Sequence, residues 1–148
     1  MKIINEMKVN FPSKSINESF ARSVAASFIA QTDPPVNVLA DIKTAVSEAV
    51  TNCIVHAYRN SCGTIYMNIR IFENNEIYIK IHDKGVGIAD IEKAREPLFT
   101  TLPSEERSGL GFTVMESFMD KVSIKSTVGK GTSVIMRKKI CPRGSENE

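Results

Sequence analysis

Glu48 and Asn52 stand four residues apart in a segment of helical apolar period, so their side chains share one face of a helix, with His56 one turn further on. The amide oxygen of Asn52 is a hard ligand of the kind magnesium takes, and a carboxylate at Glu48 can orient or deprotonate a nucleophile. A solvated polar face has the same spacing. A second group, Asp83-Lys84-Gly85-Val86-Gly87, follows a run in which Ile77, Ile79 and Ile81 alternate with polar residues. Asp83 continues the odd, inward series, and a carboxylate delivered there needs a donor, such as the exocyclic amine of an adenine. Gly85 and Gly87 let the backbone come close to a ligand, although Asp and Gly are also common turn residues.

Ser108-Gly109-Leu110-Gly111-Phe112 places two glycines where a charged loop meets a helix start. Unpaired N–H groups and the helix dipole make such a junction a phosphate site, and Arg107 beside it could add a charge-assisted bond. Gly129-Lys130-Gly131-Thr132 resembles a P-loop only superficially, because Ile124 and Gly131 occupy positions where that motif requires Gly and Ser or Thr. Thr132 shares parity with Val134 and Met136, so its hydroxyl can face the interior. Taken alone, this segment is better read as a plain hairpin turn.

Positioning these groups requires a small set of elements. Residues 2–11 alternate loosely and read as an edge strand. Ser15 with Glu18 has the form of a capping box, opening a helix with the stripe Phe20, Val24, Phe28 and Ile29. A longer helix is expected from Val36 to Tyr58, with Leu39, Ile42, Val46, Ala49, Cys53 and Ala57 inward. Thr64–Phe72 and Glu76–His82 form a hairpin about Asn74 and Asn75. Residues 88–108 read as a mobile loop with a short helical turn near Asp90–Arg95. Gly109–Asp120 forms a third main helix, and Lys121–Val128 and Thr132–Lys139 a closing hairpin. The expected fold class is α+β, a two-layer sandwich with helices on one face of a mixed, mainly antiparallel sheet. A single domain spans residues 1–140, followed by a disordered tail over 141–148.

The chain has 148 residues, 42% hydrophobic and 24% charged, a balance that suits one folded core. Its net charge is +2, with Lys and Arg spread along the length, which gives no case for direct nucleic-acid binding. Three cysteines in no CxxC pair suggest neither a zinc ribbon nor a disulfide framework, and a cytoplasmic location is expected. No apolar stretch approaches the ~20 residues of a membrane span.

In order, E-x-x-x-N on a helix, D-x-G-x-G after a strand, G-x-G at a helix start and G-x-G-T in a hairpin resemble the four ATP-binding boxes of the GHKL ATPase superfamily. Ser47-Glu48-Ala49-Val50-Thr51-Asn52 with His56 and Tyr58, and Pro97-Leu98-Phe99-Thr100-Thr101 with Glu106-Arg107-Ser108-Gly109, are similar to the anti-sigma F factors of endospore-forming bacteria. That resemblance covers about Asn5 to Ile140. It implies the GHKL (Bergerat) fold and a homodimeric kinase that binds ATP or ADP with Mg2+. Such a kinase restrains the RNA polymerase sigma-F factor and phosphorylates a serine of an anti-anti-sigma factor.

On this analogy Glu48 is the catalytic base, assisted by Arg107, and Asn52 is the magnesium ligand. His56, Asp83, Gly85, Gly87 and Thr132 line the nucleotide site, and Asp83 reads the adenine. Thr100, Thr101, Ser108, Gly109, Leu110 and Gly111 form a lid over the phosphates. Two other readings share much of this pattern: a non-catalytic, ATP-dependent sigma-binding module, and the related stress-response anti-sigma serine kinase. A histidine kinase fits less well, since no helical hairpin with an acceptor histidine precedes the boxes. Glu18 and Arg22, on the outer side of the first helix, are candidate contacts for a sigma factor, although a plain solvated face is the stronger reading of that pair.

Overall fold

The structure is a computed structural model that describes residues 2–59, 61–95 and 111–144. Five strands, β1 (Ile3–Pro12), β2 (Thr64–Phe72), β3 (Glu76–Asp83), β4 (Lys121–Thr127) and β5 (Gly131–Lys139), form one sheet in the order β1-β2-β3-β5-β4. The sequence reading allowed a mixed sheet, but every pairing between these strands is antiparallel. Hairpins join β2 to β3 and β4 to β5. The long connection from β3 to β4 carries the chain to the far edge, so β5 returns beside β3 and sets Thr132 opposite Asp83.

Period-two alternation decides what faces the core. Ile65, Met67, Ile69 and Ile71 of β2 and Ile77, Ile79 and Ile81 of β3 are buried under the helices, with Val134 and Met136 of β5. The even positions of β2 and β3 form the other face of the sheet. There Arg70 meets Glu6 at 2.7 Å, and the guanidinium groups of Arg70 and Arg137 each sit 5.0 Å from the Tyr78 ring centre. The bond to Arg70 holds the exposed Glu6 carboxyl below its ordinary range.

The helical layer contains α1 (Ile16–Ile29), α2 (Val36–Asn52), the short α3 (Ile91–Ala94) and α4 (Gly111–Phe118). Pro35 precedes α2, where its fixed φ suits a helix entry, and α2 buries Ile42, Ala45, Val46, Ala49 and Val50. The turn Cys53–Ala57 prolongs α2 with π geometry, closed by the bond from Tyr58 N–H to the Cys53 carbonyl at 3.1 Å. Two expectations for α1 need correction. Its fully buried positions are Ala21, Ala25 and Ile29, while Phe20 is 46% exposed and meets Phe11 edge-to-face. Small side chains let α1 lie close against α2, which pushes the larger residues to the margin of the contact. The capping box does not form either: Ser15 is already in helical conformation and its side chain caps nothing. Glu18 instead accepts a 2.8 Å bond from the Ser47 hydroxyl on α2 and lies 3.7 Å from Arg22.

Beyond β5, Ile140 is buried and Arg143 is tied to Asp33, through Nε to the carboxylate at 2.8 Å and through N–H to the carbonyl at 2.9 Å. Residues 145–148, the rest of the expected tail, lie outside the described residues. Among the described residues, no helix is long and apolar enough to cross a membrane.

Candidate functional site

Two clusters meet on the last turns of α2 and its π extension. The first joins α2 to the start of α4. Gly111 sits against Glu48 and Asn52 so closely that a Cβ placed on it would lie 3.3 Å from both Asn52 side-chain polar atoms and 3.4 Å from Glu48 Oε2. The carboxylate and the amide therefore point at the N-terminal end of α4. Two hard oxygens beside a helix start suit magnesium, which takes one or two protein ligands and fills the remainder of its shell with water and phosphate.

The second cluster surrounds Asp83, which ends β3 and is buried. The donor that its inward parity demanded is supplied from within the chain. Oδ1 accepts from Gly85 N–H at 2.9 Å and from Thr132 N–H at 3.2 Å. Oδ2 lies 3.5 Å from the thiol of Cys53, the first residue of the π turn. Burial, and then the Asp83 charge, push that thiol well above its ordinary value. Among the described partners, Oδ2 has only this weak donor, so it keeps accepting capacity for a ligand N–H.

Backbone contacts hold the Asp83 turn against the helix. Gly85 lies so near the Ala57 carbonyl that a Cβ there would collide with backbone, and Val86 N–H donates to the same carbonyl at 3.0 Å. Gly87 faces the Thr127 carbonyl, and Gly129 N–H bonds to the Val86 carbonyl at 2.8 Å, joining this turn to the β4–β5 hairpin. Gly131 adopts φ +128° with the Asp83 carbonyl occupying the place a Cβ would take, a conformation and an approach that only glycine permits. Thr132, inward as its parity requires, shares a 2.7 Å hydroxyl contact with Ser126.

Asn52, Asp83, Gly85, Gly87, Gly111, Thr132 and Glu48 are thus gathered on contiguous segments. His56 lies within the π turn, which takes it out of the four-residue repeat that relates Glu48 to Asn52; its carbonyl accepts from Arg59 at 3.3 Å. Thr100, Thr101, Arg107, Ser108, Gly109 and Leu110 lie outside the described residues.

Three residues of the cluster were not among the expected site residues. Cys53 counted only as core. Ser126 donates or accepts around the hairpin, taking a 2.7 Å bond from Ile88 N–H, and its even parity after Val122 and Ile124 was the signal that it points inward. Tyr58 places its hydroxyl between Lys84 N–H and the Thr64 carbonyl, each at 2.7 Å, and so links the helix end, β2 and the Asp83 turn. Burial raises the Tyr58 hydroxyl above its ordinary value, although the Lys84 N–H opposes that.

Residues 11–138 match the histidine kinase-like ATPase domain family. The chain is 58% identical over 140 residues to a protein of Thermoanaerobacter sp. (strain X514) named anti-sigma F factor, covering 95% of this chain and 97% of that one. The chain belongs to the anti-sigma F factor family. A second member, from Geobacillus stearothermophilus, is 52% identical over 139 residues, covering 94% of this chain and 95% of that one. Among solved structures, the RsbU and RsbW domains of a Mycobacterium tuberculosis protein align with a TM-score of 0.68 at 16% identity, over 92% of this chain and 32% of that one. That likeness bears on fold alone, and it agrees with the two-layer α+β architecture of the anti-sigma F family member described here.

Proposed function

We propose that this chain is a cytoplasmic, homodimeric anti-sigma factor that binds sigma-F and uses ATP with Mg2+ to phosphorylate a serine of an anti-anti-sigma factor. The observation that carries the reading is the meeting of Glu48 and Asn52 with the start of α4 on the same helix whose next residue, Cys53, touches Asp83. Membership of the anti-sigma F factor family supports the sigma-factor role. Asp83 would read the adenine amine through Oδ2, and Thr132 would border the base. Asn52 would hold magnesium, which supplies charge neutralisation on the phosphate oxygens when bound. Glu48 would take the proton of the substrate serine, with Arg107 and the segment containing Thr100, Thr101, Ser108, Gly109 and Leu110 around the phosphates. A homodimer would give cover to large apolar side chains that a single chain leaves exposed, Ile3, Ile4 and Phe20 among them.

The test is incubation with labelled ATP and a candidate anti-anti-sigma protein, followed by phospho-amino-acid analysis. Label on serine in the wild type, and its loss in Glu48→Ala with ATP binding retained, are the expected results. Transfer at the normal rate by that variant would remove Glu48 from the role of base. Nucleotide-dependent sigma binding with no phosphoserine would favour a non-catalytic binding module instead.

A further inference from the structure

The two oxygens of Asp83 are held unequally. Oδ1 takes two backbone N–H bonds from Gly85 and Thr132, whereas Oδ2 faces Cys53 Sγ at 3.5 Å. With Cβ held by β3, two donors on one oxygen fix the carboxylate torsion and leave only a small rocking about the Cβ–Oδ1 line. A contact on the other oxygen limits that last freedom. Cys53 is well placed to supply it, being buried and held at both backbone ends: its N–H reaches the Ala49 and Val50 carbonyls, and its carbonyl accepts from Tyr58 N–H at 3.1 Å. The thiol therefore has little room to retreat.

A thiol suits this place for a specific reason. It is large enough to fill the space beside Oδ2, yet too weak a donor to satisfy that oxygen. The remaining lone pair stays available and keeps a fixed direction. We propose that Cys53 is a positioning residue that sets the plane of the Asp83 carboxylate and thereby the strength with which the site selects a 6-amino purine. This rests on the proposed adenine-reading role of Asp83.

The experiment compares binding of ATP and of purine riboside triphosphate, which lacks the 6-amino group, by the full-length wild type, Cys53→Ala and Cys53→Ser, with circular dichroism confirming that each variant is folded. A hydrogen bond to a charged group predicts that the wild type prefers ATP by roughly tenfold or more. Cys53→Ala should reduce that preference about three- to tenfold by weakening ATP alone, since a freed carboxylate loses part of one such bond. Cys53→Ser should recover only part of it, because the smaller side chain fills less of the space beside Oδ2 and its stronger donor competes with the amine. A change of equal size for both nucleotides in Cys53→Ala, or an unchanged ratio, would overturn the positioning role. Absence of any preference in the wild type would instead remove Asp83 as the adenine reader, and this proposal with it. Infrared difference spectra, with Cys53→Ala as the blank, give an independent readout: the S–H band should shift with ATP and stay in place with the des-amino analogue. An identical response to both would refute the coupling.

Discussion

Replacing Tyr58 with Phe removes one oxygen and leaves the ring, which packs against Gly63, in place. That oxygen makes two bonds, donating to the Thr64 carbonyl and accepting from Lys84 N–H, each at 2.7 Å. An intramolecular hydrogen bond contributes about 0.5–1.5 kcal/mol net, so the two together bracket a loss of about 1–3 kcal/mol. Thr64 and Lys84 are both exposed as residues, so water can replace part of what is lost. The lower half of the bracket, about 1.5 kcal/mol, is therefore the expected cost. For a domain of this size each kcal/mol shifts the melting temperature by about 2–4 °C, which gives a fall of about 3–6 °C. Urea titration and calorimetry would measure it, with hydrogen exchange at the Lys84 amide as the local probe. That amide should exchange faster while the strand amides of β3 stay protected. A melting temperature within about 1 °C of wild type, with unchanged exchange at Lys84, would show that the hydroxyl does not brace the Asp83 turn.

Three further outcomes are expected. Gly131→Ala must place a Cβ against the Asp83 carbonyl at φ +128°, so it should destabilise the fold by about 2 kcal/mol or more and weaken nucleotide binding, read by chemical denaturation and titration. The raised Cys53 thiol means that the folded state holds its proton more tightly; the stability this contributes is complete below the ordinary value of about 9 and is lost as pH rises above it. Melting curves between neutral pH and pH ~10.5 should fall more steeply for the wild type than for Cys53→Ala. Arg143→Ala breaks a pair whose side chains are 63% and 49% exposed, so the melting temperature should move by no more than about 2 °C, and a larger drop would give the C-terminal segment a greater structural role.

The strands were readable because their isoleucines alternate without interruption: the parity of Ile77, Ile79 and Ile81 also forecast where Asp83 points, and the same rule carried Thr132 inward. The span of α2 with its extension was readable for a similar reason, since apolar residues recur on one face from Ile42 to Ala57. Other features depend on partners that no local pattern names. The buried stripe of α1 passes through Ala21 and Ala25 because a second helix lies against them, while Phe20 looked like the better core residue by size. Ser15 and Glu18 have capping spacing, but Ser47, 29 positions further along, competes for the carboxylate. Cys53 could be read as core from its period, but not as the neighbour of a carboxylate 30 positions away. For the candidate site, the spacing of Glu48 and Asn52 identified a face, and only the close approach of Gly111 shows what that face meets.

The π turn at Cys53–Ala57 gives one helix two independent phases. A uniform α-helix would tie the direction of Tyr58 to that of Asn52, so any adjustment at one end would rotate the other. The added residue in the turn breaks that link. Upstream, the angular position of Glu48 and Asn52 follows from how Val46 and Ala49 seat in the core; downstream, Ala57 and Tyr58 are set by the turn after β3. Removing a single residue from this stretch would leave composition and core almost unchanged, yet would swing the braces of the Asp83 turn about the helix axis.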